Sequence, residues 1–395
     1  MKQINRILNL FKNTYEYTLP RVITKLFHKV LKKSKLDDII FIESHNDFDC
    51  NGGAFYNYLI EHHINQKYKI VWLLKHTPPK SLPYNVTYCR LYRPSFKRAY
   101  YSCKAKYLLA DCVMTPKYRN DQISIYLTHG AIGLKSVIGK ENVHQSVDYI
   151  LAGSPNYDSV YRKELSISPN QELLHFGFPC LDTLFFKSDN EITKISGNKY
   201  SKILLWMPTF RVGGRRKRND SKTTLPLGIP IIESEQQLTL LDSYLKELNI
   251  LLILKLHPMQ DPNSYAKLKS TDNIKVLTGD DVKKIGIDNY RLLKDVDALI
   301  SDYSSIAFQY ILLNRPIGFV LSDMKELKSG LAVDNPEFFL AGEKIFTYDD
   351  FVKFISDVAN GIDTFSDDRK RVSDFLYKYH DGKSCERLAG FLKIE

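Results

Sequence analysis

A chain of 395 residues with 44% apolar and 12% aromatic residues carries enough core-forming side chains for two domains, and this composition excludes a disordered or fibrous protein. The net charge is +11, but residues 1–36 hold nine Lys or Arg against a single acid, Glu16; that segment supplies +8 and leaves about +3 for everything else. The six cysteines (Cys50, Cys89, Cys103, Cys112, Cys180, Cys385) form no CxxC pair and have no histidine at zinc spacing, so they read as thiols of a reduced compartment, and the expected location is the cytoplasm.

The basic N-terminal segment comes first along the chain. Ile4, Ile7, Leu8 and Phe11 make one helical stripe, and Val22, Ile23, Leu26, Phe27 and Val30 make a second, with Pro20 separating them. No apolar run reaches the roughly 18 residues of a membrane span. No apolar core followed by a small-residue cleavage site marks a signal peptide. Lysines alternating with Phe and Leu predict an amphipathic helix lying on an anionic membrane surface. The alternative is a helix packed on its own domain with its charged face in water.

From Asp38 the pattern alternates strand and helix, which predicts a mostly parallel sheet covered by helices. Strands are expected at 39–42, 68–74, 86–91, 107–110, 123–127 and 149–152. Asn51-Gly52-Gly53 reads as the end of a loop, Ala54 to His63 as a helix, and the region around Ser95–Cys103 as another. A second set begins near Lys202: strands at 203–206, 251–256 and 273–276, with a helix from Gln236 to Asn249. The stretch Asp297 to Val320 is a complete βαβ unit. Its strand, Ala298-Leu299-Ile300, turns through Ser301-Asp302-Tyr303-Ser304-Ser305 into a short helix, which Asn314-Arg315-Pro316 stops before a strand at 317–321. Helices at 349–358 and 367–377 close the second domain or cross back to the first. The expected division is a basic segment 1–36, a Rossmann-like domain 37–190 and a second Rossmann-like domain 191–395, facing a cleft.

In open α/β sheets ligands lie beyond the carboxyl ends of the strands. Four polar clusters sit there. Thr128-His129-Gly130 places a histidine at a strand tip, suited to a general base, beside a glycine that allows close backbone approach. Met207-Pro208-Thr209-Phe210-Arg211 brings an arginine whose planar fork suits a phosphate; a basic loop, Gly213-Gly214-Arg215-Arg216-Lys217-Arg218, follows. Lys255-Leu256-His257-Pro258 ends a strand at the proline. Asp302-Tyr303-Ser304-Ser305 puts two hydroxyls where a helix N-cap belongs; the plain alternative is an ordinary cap. His257, Arg211 and the serines are expected to line one pocket. There is no GxxxxGK[ST], no GxGxxG after a first strand, no GxSxG and no metal-ligand spacing, which argues against P-loop ATPases, dinucleotide oxidoreductases, serine hydrolases and metalloenzymes.

Seven motifs in order, Thr128-His129-Gly130, SPNYDSVYRKEL (154–165), GFPCLD (177–182), MPTFR (207–211), KLHP (255–258), SDYSSIAFQYILLNRPI (301–317) and FFLAGE (338–343), resemble the CDP-glycerol glycerophosphotransferase family, the teichoic acid primases and polymerases. The likeness runs from about Phe41 to Arg387. It implies a GT-B fold of two Rossmann-like domains. The implied activity is transfer of glycerol phosphate, or ribitol phosphate in relatives, from a CDP-alditol to a hydroxyl of a lipid-linked or polymeric glycan acceptor, with CMP leaving. It also implies His129 and His257 as catalytic residues and Ser304 and Ser305 as donor-phosphate contacts; Gly130, Pro208, Thr209, Arg211 and Asp302, from the same strand-end clusters, are expected to bind the donor with them. No prosthetic group and no metal ligands are expected. The expected partners are the CDP-alditol, the acceptor and, through residues 1–36, the inner face of the cell membrane; nucleic acid is not among them. Two departures stand out: Ala131-Ile132-Gly133 follows His-Gly where the family often has Pro or Thr, and Cys180 replaces a usual basic residue. The competing readings are a GT-B glycosyltransferase using a nucleotide sugar and a non-catalytic protein binding an anionic polymer.

Overall fold

The computed structural model describes residues 11–112, 116–130, 132–188, 190–213, 221 and 225–395. Ile4, Ile7, Leu8, Ala131, Gly214 and the basic run Arg215–Arg218 lie outside the described residues. The chain divides into two compact units. The first comprises Met1–Gly130, Ile138–Asp182 and Asp381–Glu395; the second comprises Ala131–Val137 and Thr183–His380. This differs from a cut near residue 190. The basic segment is not separate, residues 131–137 go with the second unit, and the C-terminus returns to the first.

The first unit is built on seven parallel strands: β1 (Asp37–Glu43), β2 (Lys69–Leu74), β3 (Val86–Arg90), β4 (Ala105–Ala110), β5 (Ile123–Tyr126), β6 (Tyr149–Leu151) and β7 (Glu172–Leu174), in the order β3-β2-β1-β4-β5-β6-β7. The continuous apolar runs of β1 and β2 suit a sheet buried on both faces. Ile40, Ile42, Ile70 and Trp72 join the core on one face, and Ile39, Phe41, Val71 and Leu73 the core on the other. Its helices are α1 (Leu19–Leu31), α2 (Cys50–Glu61), α3 (Phe96–Lys104) and α4 (Asp158–Glu164). α2 starts earlier than the sequence predicts, because the Asp49 carboxylate accepts the Cys50 N–H at 2.7 Å. Asn51-Gly52-Gly53 are therefore helical, and a Cβ on Gly53 would lie 2.4 Å from the Phe48 carbonyl.

Pro20 does not separate two helices. Phe11 to Leu31 is one helical stretch, with Thr14–Thr18 wound as a π-helix whose wider turn accommodates the proline that follows. One face packs on α3: Thr24 is buried, and Phe27 stacks on Phe96 at 5.8 Å. The opposite face is apolar and exposed. Phe11, Tyr15, Leu19, Val22, Leu26 and Val30 follow one another at three- or four-residue spacing, and Val30 is 81% accessible. The C-terminal helix, Ser384–Leu392, completes the unit. Asp182 accepts the Ser384 and Cys385 N–H groups, and the Tyr107 hydroxyl donates to the Leu392 carbonyl.

The second unit has six parallel strands: β8 (Lys202–Trp206), β9 (Ile250–Lys255), β10 (Ile274–Leu277), β11 (Ala298–Ser301), β12 (Ile317–Val320) and β13 (Glu343–Ile345). Their order, β10-β9-β8-β11-β12-β13, is that of a nucleotide-binding doubly wound sheet. Its helices include α5 (Glu235–Glu247), α6 (Gly279–Ile285), α7 (Asn289–Lys294) and α8 (Ser305–Tyr310), and two near its C-terminal end, Tyr348–Ala359 and Ser366–Leu376. Asn314, left-handed at φ 48°, ends the 3-10 turn that continues α8. β7 and β13, three residues each, go unpredicted because an edge strand of that length shows no periodicity.

Candidate active site

In the first unit His129 follows β5 on a strained turn. Thr128 has φ +58° and Gly130 φ +92°. A left-handed β-branched residue costs about 1–3 kcal/mol and persists only where its surroundings enforce it. Here the enforcement comes from α2: the Asn51 side-chain amide donates to the carbonyls of Leu127 (2.9 Å) and Thr128 (3.0 Å). His129 is exposed on one edge, while its Nδ1 lies 3.2 Å from Cys50 Sγ. The ring of His45, after β1, packs on it at 4.4 Å.

Behind them Asp111, fully buried, accepts from His45 N–H (2.6 Å), Ser44 Oγ (2.9 Å) and Gly52 N–H (2.9 Å). Burial raises its pKa to about 6 despite these donors. Contact with Cys180, then burial, push the Cys50 thiol well up. For His129 the close packing opposes charge, but Cys50, then Asp111 and Glu141, outweigh it and raise its pKa to about 9. Cys50, Asp111 and His129 offer ligand atoms within 4.8 Å of one another, a set that could hold a metal ion.

In the second unit the central strands β9, β8 and β11 end side by side, and three of the predicted clusters meet at that edge. His257 follows β9 and is exposed; its Nδ1 accepts the Met259 N–H at 3.1 Å. The neutral ring therefore carries its proton on Nε2, as a donor. Ser304 stands at the N-cap position of α8 with extended backbone, yet its side chain makes no cap bond. Among the described residues neither the Ser304 nor the Ser305 hydroxyl has a hydrogen-bond partner.

Residues 132–137 lie against this turn: Lys135 N–H donates to the Tyr303 carbonyl (3.2 Å), and a Cβ on Gly133 would sit 2.7 Å from the Ser305 N and Cα. The glycine that departs from the expected pattern is thus required by close approach.

The remaining candidates are placed differently. Arg211, expected to face a phosphate, is 2% exposed. Its guanidinium forks onto Asp323 through two 2.8 Å bonds and reaches Asp302 at 2.7 Å. Burial opposes its charge, but the two carboxylates outweigh that and raise its pKa. Thr209 donates to Asp302 through N–H (2.8 Å) and Oγ1 (2.6 Å). Thr209, Arg211 and Asp302 are therefore a buried brace tying β8 to β11, and Pro208 is buried beside them. Gly130 belongs with His129 in the first unit. Sequence reasoning overlooks His45, Asp111, Asn51 and Asp323, although His45, Asp111 and Asp323 each follow a strand end closely and obey the rule that found the others.

Two parallel-sheet units of Rossmann type, with histidines and unpaired hydroxyls at their strand ends, define the GT-B class of fold. The family model for CDP-Glycerol:Poly(glycerophosphate) glycerophosphotransferase matches residues 24–393, and the chain belongs to that family. It is 29% identical over 302 residues to the teichoic acid glycerol-phosphate primase of Bacillus subtilis (strain 168), covering 73% of this chain and 71% of the relative. It is 26% identical to the teichoic acid ribitol-phosphate primase of Bacillus spizizenii, over 75% and 77% of the two chains. Among solved structures, the wall teichoic acid polymerase TagF matches with a TM-score of 0.73 at 17% identity, over 99% of this chain and 97% of the other. Family membership sets aside the nucleotide-sugar and binding-protein readings.

Proposed function

We propose that this enzyme transfers an alditol phosphate, glycerol phosphate first among the candidates, from a CDP-alditol to a hydroxyl of a lipid-linked or polymeric glycan acceptor. The acceptor oxygen attacks the β-phosphorus and its proton passes to His129. The bond from the β-phosphorus to the bridging oxygen breaks, and CMP leaves with that oxygen. Phosphoryl transfer of this kind depends on positioning and on meeting charge as it develops. Nε2–H of His257 and the hydroxyls of Ser304 and Ser305 supply donors for the phosphates. The brace of Thr209, Arg211 and Asp302 holds the serine turn without touching the donor.

The observation that carries the donor assignment is the pair of hydroxyls at the end of β11 without a partner among the described residues, on the same sheet edge as a histidine whose neutral ring bears hydrogen on Nε2. The test is to offer the purified protein CDP-glycerol, CDP-ribitol and nucleotide sugars with a lipid-linked acceptor, and to identify the nucleotide released. CMP from a CDP-alditol is expected; a nucleoside diphosphate from a sugar donor would overturn the reading.

The helical stretch from Phe11 to Leu31 is proposed to lie in the interface of an anionic membrane. Its exposed apolar row is flanked by the exposed cations Lys12, Arg21, Lys25 and Lys29, the arrangement that buries apolar area while attracting acidic headgroups. Among the described residues no helix is long and apolar enough to cross a membrane.

A further inference from the structure

The ends of β2 and β3 carry cations that none of these roles uses. Lys75 follows β2, and its ammonium donates to the carbonyls of Ser44 (2.8 Å) and His45 (2.9 Å) and to Cys112 Sγ (3.1 Å). Arg90 closes β3 and donates to the His76 carbonyl; Arg93 follows, exposed. Among the described residues none of the three has a carboxylate within ion-pair distance. The Asp47 carboxylate, which lies against this segment, is taken up by the backbone N–H groups of Lys75 and His76 and by the His76 ring. The buried Glu43 acts electrostatically on Cys112, Tyr92 and Arg98. Three cations without an ion-pair partner among the described residues therefore lie on one edge of the sheet.

That edge is also the edge of His129. The carbonyl that holds the Lys75 ammonium belongs to His45, whose ring packs on His129. On the other side Tyr92, between Arg90 and Arg93 in sequence, meets Tyr17 of the N-terminal helical stretch at 5.8 Å. The cations thus sit between the N-terminal helical stretch and the histidine, within one unit.

We propose that Lys75, with Arg90 and Arg93 beside it, is an anion subsite that holds a phosphate group of the acceptor while the acceptor's hydroxyl reaches His129. The proposal rests on the transferase reading and names the acceptor's chemistry. One transfer leaves a phosphodiester next to a new terminal hydroxyl, so an acceptor already bearing the product's repeat has its charge one short unit behind the attacking oxygen. A phosphate oxygen is a far better acceptor than the Cys112 thiol, and Lys75 gains by exchanging one for the other. The same cations would also meet an anionic lipid headgroup, so the experiment separates the two sources.

Binding of two soluble glycan acceptors, one ending in glycerol phosphate and one without phosphate, is measured by titration calorimetry without donor. Wild type is compared with Lys75→Met and Lys75→Arg. Wild type is expected to bind the phosphorylated acceptor roughly 10- to 100-fold more tightly, the range of one or two charge-assisted hydrogen bonds. Lys75→Met loses that preference, Lys75→Arg recovers part of it, and on the phosphate-free acceptor the three proteins are equal. KM for CDP-glycerol in Lys75→Met stays within about twofold of wild type, because the donor contacts lie elsewhere. Flotation with vesicles containing phosphatidylglycerol is expected to be the same for all three. An equal loss on both acceptors, or lost flotation with acceptor binding intact, overturns the proposal, the latter in favour of a lipid subsite. A wild type that prefers the phosphorylated acceptor yet releases no CMP would instead sink the transferase reading and leave the subsite standing.

Discussion

His129 carries the heaviest demand of any single residue, because a base must be unprotonated to act. Its pKa of about 9 means that at pH 7 most molecules hold the imidazolium and cannot take the acceptor's proton. The sign follows directly: the competent fraction grows as pH rises, so kcat/KM is expected to climb about tenfold from pH 7 to pH 8 and to level off above 9. His129→Ala should lower turnover by about 10²–10⁴ and leave donor affinity unchanged. A flat profile between pH 7 and 9 would remove the base assignment and leave His129 as a fixed cation.

The sequence exposes the residue but not its setting. A histidine after an apolar strand and before a glycine is legible as a strand tip. The contacts that tune it come from residues 45, 50 and 111, on three other segments, and nothing local in the chain marks them as neighbours.

At the scale of the element, the turn between β11 and α8 separates a cap from a binding site. An ordinary serine N-cap lost to alanine costs about 1 kcal/mol. Ser304 makes no such bond. Ser304→Ala/Ser305→Ala is therefore expected to unfold within about 0.5 kcal/mol of wild type while KM for the CDP-alditol rises about tenfold or more. A destabilised protein with unchanged donor KM would mean the serines only cap.

The N-terminal helical stretch makes the opposite point. Its pattern is legible as amphipathic, but the sequence cannot tell which side docks on α3. The residues that dock are Pro20, Thr24 and Phe27, and the apolar row is left outside. Val22→Glu/Leu26→Glu should abolish flotation with acidic vesicles and leave turnover of a soluble acceptor intact. Retained flotation would place the membrane contact elsewhere. Arg211 shows how a motif misleads: an arginine leaving a strand end reads as a phosphate ligand, and only the distant Asp323 reveals that its fork is already occupied.

For the whole molecule, the alternation of apolar runs with helical segments makes both parallel sheets readable, down to their central strands. What it conceals is where the chain changes units. Residues 131–137 and 381–395 each belong with partners far away in sequence, and the contacts responsible are backbone bonds and a buried Asp182, which carry no compositional signature. GFPCLD, which reads as a family motif, thus serves in part to anchor the C-terminal helix.

The central claim is that the acceptor attacks the β-phosphorus of a CDP-alditol. It is tested most directly with CDP-glycerol carrying 18O in the bridge between the two phosphorus atoms, followed by 31P NMR and mass spectrometry of the products. The label is expected in CMP, with an unlabelled phosphodiester on the acceptor. Label in free glycerol phosphate, with cytidylate on the acceptor, would place the attack on the other phosphorus and contradict the account.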